Sequence, residues 1–322
     1  MTSLIIIRFT MPYQDKAEKL YKDQLKDWLM FADNREGLNN AQLRTFNFEG
    51  FDIIVQYNPK RITSSAAKVD TKTIKERKCF LCGANRPEVQ TEVMWGNNYE
   101  ILVNPFPIFK KHFTISNVAH VDQQIKTEFV NFISLSKDLP ETVIFYNAPK
   151  CGASAPDHLH FQAGNLDFLP IEKDWETIKT KYGKNIEGQG EVEVTVVDDT
   201  LRRFIVLESE NADAINNVFQ KIHAFGTELE NGEAPMLNLL SYYVNGKHRV
   251  FVFVRGIHRP WQFFEEGEKN ILLSPASVDM GGALIIPLEK DFEKITKEDI
   301  TDIFKQITVS KENFDKLLER LK

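Results

Sequence analysis

Residues 147–162 constrain the fold of this chain more than any other stretch, because polar and apolar side chains alternate at their end. His158, His160 and Gln162 are separated from one another by single apolar residues. Successive side chains of a β-strand point to opposite faces, so a strand here presents the three polar groups on one face. We therefore expect a strand whose apolar face packs on a core and whose polar face forms a reactive edge.

The order of strand, helix and hairpin signals in the first half is repeated in the second, where Asn245-Gly246 is typical of a hairpin turn. Apolar side chains at helical spacing predict a helix over residues 14–32, and residues 121–137 are also predicted as a helix. Two apolar-rich runs around Glu49-Gly50, residues 42–48 and 51–57, predict a hairpin. A looser, glycine-containing segment at 181–190 lies between the halves. At 322 residues, two domains are the default expectation. We predict two fused halves, residues 1–185 and 186–322. The second has Lys247-His248-Arg249 in place of the histidine edge, so we expect it to have lost the chemistry.

Charge and cysteine content restrict the partners and the compartment. The net charge of −6 argues against nucleic-acid binding over the whole surface. No apolar stretch approaches the length of a membrane span, and the first residues lack the basic start of a signal peptide. Three cysteines, two of them in one Cys-x-x-Cys motif, fit a reducing compartment. We expect a cytoplasmic protein with neither nucleic-acid nor membrane partners.

Cys79 and Cys82 have the spacing of a metal knuckle, in which a tight turn lets both thiolates reach one ion. His120 and His158 complete a closed Cys2His2 zinc site, which would be structural because it leaves no open position for water. A redox pair would need a helix directly after the motif, whereas the following residues resemble a loop. The remaining alternative is two reduced cysteines that pack as small apolar groups.

A neutral histidine can attack phosphorus when its second ring nitrogen donates to a fixed acceptor. His160 fits this role if His158 is committed to a metal. Gln162 cannot transfer a proton at neutral pH, but its amide can hold a non-bridging phosphate oxygen. Gly152 and Ser154 would bring backbone N–H groups and a hydroxyl to the same phosphate. The alternative is two surface histidines without chemistry.

Residues 60–78 are locally basic, with seven positive side chains and two negative ones. Arg61 is a candidate for phosphate contact, since a guanidinium matches the geometry of phosphate oxygens. A solvated loop is the equally simple alternative.

These motifs resemble, in order along the chain, those of the histidine triad superfamily. The closest resemblance is to its nucleotidyltransferase branch, which includes galactose-1-phosphate uridylyltransferase, diadenosine tetraphosphate phosphorylase and the GDP-hexose phosphorylases. The matching segments are Pro59-Lys-Arg61, Cys79-Phe-Leu-Cys82-Gly-Ala-Asn85, Asn104-Pro-Phe106, His120, Asn147, Gly152-Ala-Ser154 and His158-Leu-His160-Phe-Gln162. In the second half, Ser274-Pro-Ala-Ser-Val-Asp-Met-Gly-Gly282 resembles a late segment of the GDP-hexose phosphorylases.

The resemblance implies an α+β fold of two fused histidine-triad-like halves, each an antiparallel sheet with flanking helices. It implies that His160 forms a covalent nucleotidyl-histidine, which Gln162 steadies. The implied zinc ligands are Cys79, Cys82, His120 and His158. The implied phosphate contacts are Arg61, Asn147, Gly152 and Ser154, and the implied nucleoside contacts are Asn104 and Phe106. Related folds often dimerise, which makes a homodimer one option.

Three functions remain open on the sequence. The first is a nucleotidyltransferase or phosphorylase that passes a nucleotide from a nucleotide sugar or dinucleoside polyphosphate to phosphate or a sugar 1-phosphate. The second is a hydrolase of the same compounds, which Gln162 disfavours because the triad hydrolases carry a third histidine there. The third is a zinc-stabilised nucleotide-binding module without turnover. That module is favoured if His160 coordinates the metal or has no cavity beside it.

Overall fold

The computed structural model describes residues 11–61 and 71–322, and the following elements belong to that part of the chain. The strands are β1 (Gln42–Phe48), β2 (Phe51–Tyr57), β3 (Val93–Trp95), β4 (Tyr99–Val103), β5 (His112–Asn117), β6 (Thr142–Asn147), β7 (His160–Asn165), β8 (Gly183–Ile186), β9 (Glu193–Asp198), β10 (Arg203–Ser209), β11 (Leu237–Val244), β12 (Lys247–Val254) and β13 (Ala283–Ile286). The helices are α1 (Tyr13–Asp27), α2 (Leu29–Asn39), α3 (Thr71–Glu76), α4 (Phe129–Asp138), α5 (Pro170–Tyr182), α6 (Ala212–Leu229), α7 (Ser277–Met280), α8 (Glu289–Lys294), α9 (Lys297–Ile307) and α10 (Lys311–Leu321).

Ten strands form one antiparallel sheet made of two five-stranded units with the same internal order. From its outer edge, the first unit runs β3-β4-β5-β7-β6 and the second runs β8-β9-β10-β12-β11. The units join through β6 and β11, where Asn147 pairs with Asn238. This arrangement confirms the α+β fold of two fused halves. The exact boundary at 185 and 186 stays a prediction.

The sheet separates two apolar cores, because alternate side chains of its strands point to opposite faces. On β6, Ile144 and Tyr146 join the core under α4 and α6, whereas Val143 and Phe145 join the core under α5 and α9. Burying a side chain of this size contributes roughly 1.5–3 kcal/mol, so both faces are firmly covered. No helix in the described ranges is long and apolar enough to cross a membrane.

A second, smaller sheet connects the two halves on the α5 side. The predicted hairpin of β1 and β2 is confirmed, and its turn uses Gly50 at a φ of 95°. Strand β13 of the second half pairs in parallel with β2, from Ala283 opposite Ile54 to Ile286 opposite Tyr57. The chain segment before β13 is thereby held over the first half of the large sheet.

Several predicted elements have different boundaries in the structure. The helix expected over residues 14–32 is broken at Trp28, which is buried in an extended conformation between α1 and α2. The prediction of a loose segment at 181–190 is wrong for Gly183–Ile186, which form β8 and pair with β9. The helix expected from residue 121 begins only at Phe129, and the strand expected from 158 begins at His160. His158 therefore lies off the strand, free to turn toward the cysteines.

Candidate active site

The four predicted metal ligands lie together in the structure. One donor atom from each of Cys79, Cys82, His120 and His158 lies within 4.8 Å of all the others. The Sγ of Cys79 is 3.2 Å from Nδ1 of His158, and the Sγ of Cys82 is 3.2 Å from Nδ1 of His120. A tetrahedral zinc site needs two thiolates and two imidazoles at such mutual separations, so these residues fit the ion. The arrangement can bind a metal.

The surroundings of the cluster orient its ligands. The Nε2–H of His158 donates to the Asn117 carbonyl at 2.7 Å, which leaves Nδ1 as the coordinating nitrogen. Although burial acts to raise it, the close contact with His158 and hydrogen bonds from the backbone N–H groups of Leu81 and Cys82 lower the pKa of Cys79 to about 6. A low pKa favours the thiolate, which is the form that binds a metal. Asp157 lies 3.7 Å from Nε2 of His120 and pairs with Arg77.

His160 stands apart from this cluster and is held by its own set of hydrogen bonds. Its Nδ1–H donates to the His158 carbonyl at 2.8 Å. The other ring nitrogen, Nε2, has no hydrogen-bond partner among the described residues. Burial lowers the pKa of His160 to about 4, so the imidazole is neutral at pH 7. A neutral ring with one nitrogen anchored and the other available is the form required of a nucleophile.

Gln123, which was not anticipated from the sequence, fixes the backbone of His160. Its Oε1 accepts from the His160 N–H at 2.8 Å. Its Nε2 donates to the carbonyls of His160 and Asn147, each at 3.0 Å. These bonds tie the start of β7 to the end of β6. The only sequence signal was a polar residue in an amphipathic stretch, and that stretch was predicted as helix.

Gln162 is oriented by His112. The Ile108 N–H donates to Nδ1 of His112 at 3.1 Å, so the remaining proton of a neutral His112 is on Nε2. That Nε2–H donates to Oε1 of Gln162 at 3.0 Å. The Gln162 carbonyl oxygen is therefore occupied, and its amide N–H groups remain to donate toward a ligand. In this geometry His112 sets the orientation of the Gln162 amide.

An apolar cavity of about 280 Å³ lies beside His160. Of the predicted residues, Asn104, Phe106, Ser154, His160 and Gln162 line it. The remaining wall is formed by Trp28, Met30, Phe80, Leu81, Asn85, Pro87, Gln90, Leu102, Pro105 and Thr114. Apolar walls with a few convergent polar groups are typical of small-molecule sites.

A second, polar cavity of about 160 Å³ adjoins the first. It contains two of the predicted phosphate contacts, Asn147 and Gly152, which do not line the His160 cavity. The Oδ1 of Asn147 already accepts from Asn238 and from the Ser277 N–H. Gly152 has a φ of 93°, and a Cβ there would lie 2.5 Å from the Cβ of Ala276. Glycine is therefore required where this turn meets the second half.

The predicted contact of Arg61 cannot be placed against these cavities. Its backbone ends a short 3₁₀ turn, Pro59–Arg61, but its side chain lies outside the described part of the chain, as do residues 62–70. The roles assigned to the other site residues remain predictions. The structure gives their positions alone.

Two family models match the chain. Residues 20–165 match a domain of unknown function, DUF4922, and residues 177–322 match the model described as "GDPGP1-like, C-terminal domain". Among curated proteins, none matches the sequence.

Solved structures share the fold at low sequence identity. Yeast Ap4A phosphorylase Apa2 in complex with AMP has a TM-score of 0.61 at 16% identity, over 92% of this chain and 97% of that chain. Its complex with Ap4A has a TM-score of 0.60 at 14% identity, with the same coverage. An ADP-glucose phosphorylase from Arabidopsis thaliana reaches only 0.39 at 10% identity, over 84% and 99%. The two-domain Ap4A phosphorylase-like fold and the C-terminal model confirm the resemblance to the histidine triad superfamily.

Proposed function

We propose that this chain, which has the fold of the histidine triad superfamily, is a nucleotidyltransferase or phosphorylase. It transfers a nucleotidyl group from a nucleotide sugar or dinucleoside polyphosphate to phosphate or a sugar 1-phosphate, through a covalent intermediate on His160. The observation that carries the proposal is the state of that side chain. Its Nδ1 is anchored to a carbonyl at 2.8 Å, while its Nε2 is unpartnered in the described structure and a cavity adjoins the ring.

The two half-reactions need no proton transfer at the phosphorus. In the first, Nε2 of His160 attacks the α-phosphorus, a P–N bond forms and the bond to the bridging oxygen breaks. The electron pair leaves with the phosphate leaving group, and the proton on Nδ1 stays in its hydrogen bond. In the second, an unprotonated oxygen of the acceptor phosphate attacks, the P–N bond breaks and its electron pair returns to Nε2. Both steps rely on positioning and on fixed donors.

Gln162 favours a phosphate acceptor over water. An attacking water must lose a proton, and an amide cannot accept one at neutral pH. An oxygen of the phosphate dianion carries no proton to remove. The Gln162 amide, held by His112, has N–H groups that can donate to a non-bridging oxygen and steady the intermediate. Hydrolysis is therefore the weaker alternative.

The binding-module alternative is disfavoured by the position of His160. The metal cluster contains His158 but not His160, and the ring of His160 adjoins a cavity. Either coordination of His160 or the lack of a cavity would have supported a module without turnover. The shared fold with a phosphorylase supports an enzyme of this kind.

The apolar cavity suits the nucleoside, with Asn104 and Phe106 as its contacts. Ser154 lies between the two cavities and would contact the phosphates, as would Asn147, Gly152 and Arg61. The yeast neighbour was solved with Ap4A and with AMP, which supports a nucleotide as the ligand class.

We also assign zinc to the cluster of Cys79, Cys82, His120 and His158, as a structural ion. When bound, it would link the loop of the two cysteines to the chain just after β5, through His120, and to the chain just before β7, through His158. The cytoplasmic location and a homodimer stay predictions.

Intact-protein mass spectrometry tests the proposal. The protein is incubated separately with dinucleoside polyphosphates, nucleoside diphosphate hexoses and nucleoside triphosphates, without phosphate. We expect a mass increase of one nucleotidyl group, and none in His160→Ala. Full labelling of His160→Ala would contradict the assignment of His160 as the nucleophile. Equal product formation with and without phosphate would favour the hydrolase.

A further inference from the structure

The polar cavity is formed jointly by the two halves and begins where the His160 cavity ends. Asn104, Ser154 and Gln162 line both cavities, whereas His160 lines only the apolar one. The second half contributes the opposite wall. Its lining residues are His258, Arg259, Phe263, Leu272, Ser274, Ala276, Val278, Asp279, Ile285 and Pro287. A phosphorus atom bound to His160 would thus face a compartment built mainly by the other half.

Arg259 is the cation of this compartment. Its Nε donates to Oγ of Ser274 at 3.0 Å, and its guanidinium lies 4.1 Å from the centre of the Phe263 ring. These contacts fix the plane of the group while leaving both terminal nitrogens without a hydrogen bond in the described structure. No carboxylate from residues 11–61 or 71–322 lies within ion-pair distance of it. A guanidinium held in this way presents a fork of N–H donors that matches phosphate oxygens.

Arg255 makes the wall around Arg259 rigid. It is 2% exposed, and its Nη2 donates to the carbonyls of Ile257 and His258 at 3.3 and 3.1 Å. Its Nη1 donates to Oδ1 of Asn238 at 2.6 Å and to the Pro275 carbonyl at 2.8 Å. Two of the second-half segments that line the cavity, 258–263 and 272–279, are therefore tied to one buried group. Such preorganisation lowers the cost of binding an anion.

The other titratable groups that line the cavity do not compete with Arg259. Burial lowers the pKa of His258 to about 4, so it is a neutral donor at pH 7. Asp279 is the carboxylate among the lining residues, and burial raises its pKa to about 6. Its two oxygens already accept from the backbone N–H groups of Ala276, at 2.7 Å, and Ile285, at 3.1 Å.

We propose that this cavity is the acceptor subsite of the transfer, with Arg259 as its phosphate-binding residue. The proposal rests on the proposed function, and it assigns the second half a direct part in the reaction. The ligand is the phosphate group of inorganic phosphate or of a phosphate monoester. The leaving group of the first half-reaction departs through the same space that the acceptor then occupies. An acceptor oxygen forms the new P–O bond as the P–N bond to His160 breaks, and the electron pair returns to Nε2.

The test separates formation of the labelled protein from its discharge. Wild type, Arg259→Ala and Arg259→Lys are labelled to completion with the nucleotide that modifies the wild type, and each is then mixed with rising concentrations of inorganic phosphate. We expect all three to take the label. We expect the phosphate concentration for half-maximal discharge to rise about 10–100-fold in Arg259→Ala and less in Arg259→Lys. Arg320→Ala, which removes an exposed guanidinium paired with Glu228, is the matched control and should behave as wild type.

Parallel discharge with a hexose 1-phosphate identifies the source of the phosphate group. Saturable, Arg259-dependent discharge by either compound supports the subsite, and the compound effective at lower concentration is the acceptor. An unchanged half-maximal concentration in both variants overturns the subsite but keeps the covalent intermediate. A wild-type protein that takes no label overturns the proposed function and the subsite with it. Arg259→Lys keeps the charge and the stem, so it provides the measurement if Arg259→Ala does not fold.

Discussion

Strands β7 and β12 hold the same position in the two five-stranded units, yet their side chains on the α5 side of the sheet differ completely. Ser116 is the last but one residue of β5 and pairs with His160. Glu208 is likewise the last but one residue of β10 and pairs with Arg249, so Arg249 takes the position of His160. The matching sets are His160, Gln162 and Gly164 in the first half, and Arg249, Phe251 and Phe253 in the second. The two units thus share a strand order, while the side chains on this face differ between them.

In the second half, packed side chains fill the α5 side of the sheet at β12. The Nε of Arg249 donates to Oε1 of Glu208 at 2.7 Å, and Trp175 packs edge-on against Phe251 with ring centres 5.2 Å apart. His248, matched to the histidine edge on sequence, belongs to the opposite face and lies 3.3 Å from Oγ of Ser136. Within Lys247-His248-Arg249, the residue in the place of His160 is therefore Arg249. The expected loss of the chemistry has a structural reason, because packing occupies the space.

In the first half the face is left open by small and polar side chains. A Cβ at Gly164 would lie 2.3 Å from the Phe109 ring, so glycine lets that ring close one end of the face. Toward the other end, Gln162 and His160 border the two cavities. The face of β7 on this side is therefore covered by Phe109 at Gly164 and left open at Gln162 and His160.

The largest expected effect is a loss of turnover on substitution of His160 in β7 that has no counterpart at His248 in β12. His160→Ala should lower turnover by about 10³-fold or more, since the nucleophile is lost. His248→Ala should leave the turnover of the folded protein unchanged and lower the free energy of unfolding by about 1–3 kcal/mol, since a buried polar contact is lost. Steady-state kinetics and urea unfolding of both variants measure this. Similar losses of turnover in the two would remove the distinction between the strands.

The metal cluster is a second property that we predict only for the first half. Cys82→Ser should lose most of the bound zinc and lower the free energy of unfolding by about 3 kcal/mol or more, because metal binding is linked to folding. Cys82 is partly exposed, so the loss does not arise from a cavity in a core. Cys151→Ala, which removes a buried cysteine outside the cluster, should retain one zinc per chain. Metal analysis of the purified proteins would refute the assignment if both variants kept the ion.

His112 tests whether the open face needs an oriented amide. His112→Phe should lower kcat about 10–100-fold with a smaller change in KM, because Gln162 loses the donor that directs its amide. His112→Gln keeps one acceptor and one donor group and should restore part of kcat. Equal losses in the two variants, matched by equal losses of stability, would reduce His112 to a packing residue.

The smallest effect concerns the ion pair that fills the second face. Although burial acts to raise it, Arg249 and Lys179 hold the pKa of Glu208 below its usual range. A lowered pKa contributes stability above the pKa of the unfolded chain, and that stability is lost as pH falls through the folded value. Glu208→Gln should therefore be less stable than wild type by about 1–3 kcal/mol near pH 7, with the difference shrinking below about pH 4. Urea unfolding across that range measures it, and a difference independent of pH would argue against the ion pair.

Local patterns in the sequence predicted the parts of the site that depend on short spacing. Cys79, Cys82 and the alternation around His160 are of this kind, and the hairpin of β1 and β2 is another. The shape of the polar cavity depends on residues far apart in sequence, such as Asn104 and Arg259, and local patterns do not specify how such residues meet. The contacts of Gln123 were not predicted because its stretch was predicted as helix, whereas the helix begins only at Phe129. At the polar cavity and at Gln123, contacts between residues distant in sequence decide the structure.

The parallel pairing of β13 with β2 joins residues near 54 to residues near 283. Pairing across so long a stretch of chain carries a high loop-closure cost and forms late in folding. During synthesis the histidine strand and the cysteine loop emerge well before the residues of the acceptor wall. An unfinished chain would thus hold a nucleophile without its acceptor compartment, and transfer to phosphate would begin only when the last quarter of the chain has docked. Under the proposed mechanism, catalysis would therefore require the complete fold.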